Sequence, residues 1–234
     1  MNTKIFNLAL RIVFATLLLA SCASKNRPCN SSGDDEWPSS GKIVKTISHL
    51  IDLNEASGRM KKNLTHVYSK SQINRAGIEY CSKIIDLEDY QAHLNALQDA
   101  IKLETRVNRA KLMALKGLLD EEFEIARLPD AEISVHEKFD TSEEEWPQSD
   151  ELTSNMRVLD ILHCEALSIR RIIESKGRHS ASDINRFEND VCSKESSIDS
   201  YREHLIALGK SLALEARVKE AEWESLNGLF RGHL

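Results

Sequence analysis

The chain repeats itself, and that constrains its fold more than any single motif. Ile73-Asn74-Arg75 recurs as Ile184-Asn185-Arg186, and Cys81-Ser82-Lys83 as Cys192-Ser193-Lys194. Tyr90, His93, Leu94, Ala96 and Leu97 recur as Tyr201, His204, Leu205, Ala207 and Leu208. Leu103-Glu104 and Arg106-Val107 recur as Leu214-Glu215 and Arg217-Val218, and Leu115, Gly117 and Leu118 as Leu226, Gly228 and Leu229. About 20 of some 49 positions from Ser71 are identical at a fixed offset, far above chance. Upstream, an acidic-Trp-Pro motif ending in Trp37-Pro38 recurs at Trp146-Pro147, with about two extra residues in the second copy near Gly177. The copies are 34–128 and 143–234, joined by an acidic linker, 129–145.

Each copy reads as helix, turn, long helix. In the second, Leu152, Met156, Leu159, Leu162, Ala166, Ile169 and Ile173 recur every three or four residues, an apolar helical stripe. Ser149 is a natural N-cap, with Asp150 and Glu151 in the turn where the helix dipole favours them. The turn falls at Lys176 to Ser180. A second stripe runs from Ile184 through Tyr201, Leu208 and Val218 to Leu229, interrupted at Lys194 and followed by a fresh capping signal, Ser196-Ser197-Ile198-Asp199. An unbroken second helix would span about 70 Å against about 40 Å for its partner. Its free stripe must then bury against something, and the matching stretch of the other copy is the obvious candidate. The expectation is an all-α, elongated bundle: a tandem duplication of a helical hairpin with long, coiled-coil-like second helices.

Composition agrees and narrows the function. Apolar residues make up 41% and charged residues 29%, with only 9 Gly and 4 Pro, which suits a helix-rich globular chain. A net charge of −6 argues against nucleic acid, because phosphate binding needs a dense basic footprint. No second apolar run reaches spanning length.

The N-terminus has the parts of a secretory signal. Lys4 and Arg11 supply positive charge, and Ile12–Ala20 is an apolar run of about nine residues. It closes on Leu19-Ala20-Ser21-Cys22, which resembles the lipobox of bacterial lipoproteins. The resemblance implies a signal peptide at 1–21, cleavage before Cys22, and acyl chains, palmitate among them, on Cys22. Two or three chains make a stable anchor where one holds only marginally. Ala23 after the cysteine resembles lipoproteins sent to the outer membrane, which implies the periplasmic face. Residues 22–40 then read as a flexible tether, rich in Ser and Asn.

In such an oxidising compartment Cys29, Cys81, Cys164 and Cys192 become disulfide candidates. Cys164 and Cys192 lie about equally far from the turn near Arg178, so a hairpin would bring them level. Cys29 is then left for Cys81, and Cys81–Cys192 across the two copies is the rival pairing. No cysteine or histidine spacing suits zinc, and no cofactor is expected. His93 and His204 read as core or boundary histidines, and Glu104/Arg106 and Glu215/Arg217 as residues that pair across helices. Trp37 and Trp146 either cover the ends of the bundle or serve as partner-binding anchors.

No nucleophile, metal set or Gly-rich pocket is legible, so no enzyme activity is expected. The leading expectation is a lipid-anchored interaction or assembly module, a pilot or accessory subunit binding another envelope protein. The second is an inhibitor or immunity lipoprotein that plugs a toxin or cell-wall hydrolase, for which an acidic loop at 140–150 would be the sign. The free stripes could also pair between two chains as a homodimer.

Overall fold

The computed structural model describes residues 37–119, 146–147 and 149–232. The chain divides into Met1–Glu36 and Trp37–Leu234, and only the second unit contains described residues. The expected signal peptide, with Cys22 and Cys29, therefore lies outside them, as do most of the expected tether and all of the linker at 129–145.

Among the described residues the fold is all-helical: α1 (Gly41–Leu64), α2 (Lys70–Cys81), α3 (Leu87–Leu119), α4 (Asp150–Lys176), α5 (Ala181–Cys192) and α6 (Ile198–Arg231). Their boundaries follow local chemistry. Ser69 and Ser180 each begin a helix with a reciprocal capping box, closed by Gln72 and Asp183 respectively. Gly177 ends α4 at φ +65°, a left-handed conformation that costs a residue with a Cβ but not glycine. Ser149 precedes α4 as expected, yet its hydroxyl makes no capping bond; its carbonyl instead accepts from Thr153 N–H at 2.8 Å.

The second helix of each copy is broken, not continuous. Residues 82–86 separate α2 from α3, and 193–197 separate α5 from α6. Ser197 Oγ accepts from Ser200 N–H at 3.2 Å, and Asp86 Oδ1 from Asp89 N–H at 2.8 Å. Each restart satisfies backbone donors that a helix start otherwise leaves unpaired.

The expected hairpins do not form. The principal partners of α1 are α6 and α4, and those of α4 are α3 and α1; α2 lies on α6 and α5 on α3. Each copy's first helix thus packs on the other copy's long helix. The physical reason lies in the breaks: a 12-residue α2 cannot cover a 24-residue α1, whereas a 33- or 34-residue long helix can.

The core shows the directions. Tyr90, Leu94 and Leu97 of α3 meet Leu152 and Met156 near the start of α4, while Leu115 meets Ile173 near its end. So α3 and α4 run parallel. By the same reading α1 and α6 are parallel, from Ile47 with Leu212 to Leu64 with Leu226. Between these pairs α3 and α6 cross antiparallel, with the equivalent residues Leu97 and Leu208 both fully buried in the central cluster.

Candidate functional site: two crossed glutamate–tyrosine–histidine clusters

Each long helix carries a tyrosine, a histidine three residues on, and a glutamate fourteen residues after the tyrosine. Fourteen residues are close to four helical turns, so all three share one face. Laying two such helices antiparallel sets the tyrosine and histidine of each opposite the glutamate of the other.

The structure has both clusters. Tyr201 Oη donates to Glu104, 3.0 Å from each carboxylate oxygen, and His204 Nε2 lies 3.3 Å from Oε2. Asn108 Nδ2 donates to Oε1 at 2.8 Å. In the mirrored cluster Tyr90 Oη donates to Glu215 Oε1 at 3.1 Å, and His93 Nε2 lies 3.2 Å from Oε2. Glu104 is 0% exposed and Glu215 1%. A buried carboxylate is strongly destabilising unless donors surround it, and here they do. Burial first, and the facing carboxylate second, push both tyrosine hydroxyls well above their ordinary pKa. They therefore remain donors across the physiological range.

The two tryptophans complete these clusters. Trp37 stacks on Tyr201 with ring centroids 4.8 Å apart, and its backbone N–H donates to Asn189 Oδ1 at 3.0 Å. Trp146 stacks on Tyr90, also at 4.8 Å. At 8% and 7% exposure neither offers a face to a partner. The anchor reading of Trp37 and Trp146 thus gives way to that of rings covering a buried polar cluster.

Behind each cluster sits a cysteine and a second ionic group. Cys81 Sγ approaches Val218 O at 3.7 Å and Cys192 Sγ approaches Val107 O at 4.0 Å, each across the copies. Burial pushes both thiols up to about 12, with neighbouring carboxylates adding to it, so neither is a nucleophile at neutral pH. Both are free thiols. The expected pairs Cys164–Cys192 and Cys29–Cys81 are therefore not formed, nor is Cys81–Cys192. Without a hairpin, Cys192 turns toward α3, while Cys164 stands exposed on α4.

The ionic groups differ in composition but not in charge. Beside Glu215, Lys61 and Lys219 both pair with Glu222. Burial alone would raise the Glu222 pKa, but the two ammonium groups outweigh it and bring the carboxyl to about 2. Beside Glu104, Arg170 and Lys111 pair with Glu188 at 3.0 and 3.4 Å. Each half thus buries two carboxylates and faces one of them with two basic side chains.

As the sequence leads one to expect, Glu104, Glu215 and Arg106 pair across helices, one copy with the other, but a glutamate and the arginine two residues on do not share a partner. Arg106 faces Glu195 at 3.8 Å near the surface, while Glu104 takes a tyrosine and a histidine. The usable signal was the tyrosine-to-glutamate spacing, held identical in both copies.

Among the described residues no three of His, Cys, Asp and Glu converge to hold a metal ion. A small pocket at the ends of α3 and α4, lined by Leu118, Leu119, Ile173, Lys176, Arg178 and His179, has about 10 Å³ of interior, room for about one water. Chemically the two clusters act as joints: each fixes one copy's long helix to the other's in a single register. No family model matches the chain, and no curated protein or solved structure is detectably similar to it.

Proposed function

We propose that this chain is a lipid-anchored helical protein of the bacterial envelope that acts as a non-enzymatic interaction or assembly module. The observation that carries the reading is the apolar run closing on Leu19-Ala20-Ser21-Cys22, which supplies an acylation site and a tether ahead of the first helix. The helical body supports it. Two buried joints hold α3 and α6 in one register, which suits a rigid platform presented to another envelope protein. Among the described residues no helix is long and apolar enough to cross a membrane, so the lipid on Cys22 would carry the attachment.

The test compares wild type with Cys22→Ala in detergent-solubilised envelopes, by fractionation and by affinity capture read with mass spectrometry. Wild type in the membrane fraction with a defined envelope complex, and Cys22→Ala released, is the expected result. Cys22→Ala remaining wholly in the membrane fraction refutes the anchor. Capture of a single toxin or wall hydrolase replaces assembly with inhibition.

A further inference from the structure

The duplication provides an internal control for the surface of α4. On its outward face Ile161, Cys164, Ser168 and Ile172 follow at intervals of three and four, one side of the helix. Ile161 is 57% exposed and Ile172 45%. The positions that match them on α1, at the offset of Trp37 to Trp146, are Asp52, Glu55, Arg59 and Asn63. The fold therefore does not require apolar residues there; on α1 it carries an Arg59–Glu55 ion pair instead.

What differs between the two helices is the path of the chain. Because α3 and α4 run parallel, Leu119 ends beside the last turn of α4, while Trp146 sits near its first. The 26 residues 120–145 connect these two ends, which lie about the length of α4, or 40 Å, apart. Their contour, about 85 Å, is ample. Nothing comparable joins the end of α6 to the start of α1, which precedes it in the chain.

We infer that the apolar face of α4 is a docking surface for the chain's own segment 120–145. The segment has the matching chemistry. Phe123, Ile125, Leu128, Ile133, Val135 and Phe139 punctuate it, and it holds eleven carboxylates against Arg127 and Lys138. Its first residues, Asp120-Glu121-Glu122, follow directly on Leu119, which lines a pocket with Lys176, Arg178 and His179. The acidic start meets the cationic end of α4, and the apolar residues after it reach the Ile172–Ile161 stripe.

Cys164 lies inside this face and reports on it. The experiment follows N-ethylmaleimide modification of Cys164 in the reduced full-length chain, resolved by peptide mass spectrometry. Wild type is compared with a Phe123→Ser/Ile125→Ser/Leu128→Ser variant. Release of the segment should speed labelling of Cys164 about tenfold, while the buried Cys81 and Cys192 stay unmodified in both and certify the fold. If the variant exposes Cys81 or Cys192, Ile161→Ser/Ile172→Ser replaces it, and faster cleavage of 120–145 by a glutamate-specific protease is the expected readout. Equal rates in wild type and variant overturn the inference. So does protection of Cys164 that vanishes on dilution, which assigns the face to a second copy of the chain.

Discussion

Replacing Tyr201 by Phe tests the joint reading directly. The change keeps the ring and its stack on Trp37 and removes one hydroxyl whose oxygen lies 3.0 Å from both oxygens of a fully buried carboxylate. Hydrogen bonds to charged groups are worth about 1.5–3 kcal/mol. His204 and Asn108 still face Glu104 in the variant, so the loss should fall near the middle, about 2 kcal/mol. Urea unfolding followed by helical circular dichroism measures it, with an unchanged m-value showing that stability alone has moved. For a body of this size the melting temperature should drop by about 4–8 °C. The sharper test is a cycle with Glu104→Gln. Two groups in one buried network should couple by about 0.5–3 kcal/mol. Tyr90→Phe acts on the mirrored cluster, about 20 Å away along the helices, and should add to Tyr201→Phe without coupling. A loss below about 0.5 kcal/mol for Tyr201→Phe, or additive behaviour with Glu104→Gln, would refute the reasoning.

Two further expectations rest on individual residues. The Glu222 carboxyl is held at about 2 against an ordinary value of 4.5, so it stabilises the fold fully above about pH 4.5 and loses that contribution as pH falls toward 2. The difference corresponds to about 3 kcal/mol, and Glu222→Gln should flatten that segment of the stability-against-pH curve measured by urea titration; an unchanged slope would contradict the pairing with Lys61 and Lys219. Gly177→Ala should cost about 1 kcal/mol because its φ is positive, whereas Gly209→Ala, inside α6 with nothing within 4 Å of the added carbon, should gain about 0.5–1 kcal/mol; thermal melts that reverse this order would contradict the geometry.

The helical class was legible because period and propensity agree along every segment, and the turns were legible at Gly177 and the serine caps. The partnering of helices was legible only where the long helices of the two copies, α3 and α6, meet. A stripe of Leu152, Met156 and Leu159 states that one face of α4 is buried but not against what. The nearest helix in sequence was the natural guess, and the breaks at 82–86 and 193–197 make it the wrong one. Cysteine pairing failed for the same reason, since levelling Cys164 with Cys192 presupposed the hairpin. The buried clusters were half visible. Tyr90, His93 and Glu104 stood out as repeated residues, but matching each to the opposite copy requires the antiparallel crossing at Leu97 and Leu208. Lys61 recurs as a cation, Arg170, at the offset of Trp37 to Trp146, but the carboxylates they meet do not repeat: Glu222 matches Lys111, and Glu188 matches Gly77.

The exchange of helices between the copies governs how this protein must be made. Its joining contacts span long stretches of chain: Tyr201 reaches back 97 residues to Glu104, and the Trp37 backbone waits 152 residues for Asn189. Such contacts form late, because the entropy of closing the intervening loop is lost before any contact compensates it. A chain emerging N-terminus first would present α1 to α3 with their apolar stripes uncovered until α4 and α6 arrived. A half-made chain thus has no core of its own. A nascent chain arrested before α6 should be as vulnerable to proteases as one never folded, and the first half stays exposed for as long as synthesis of the second takes.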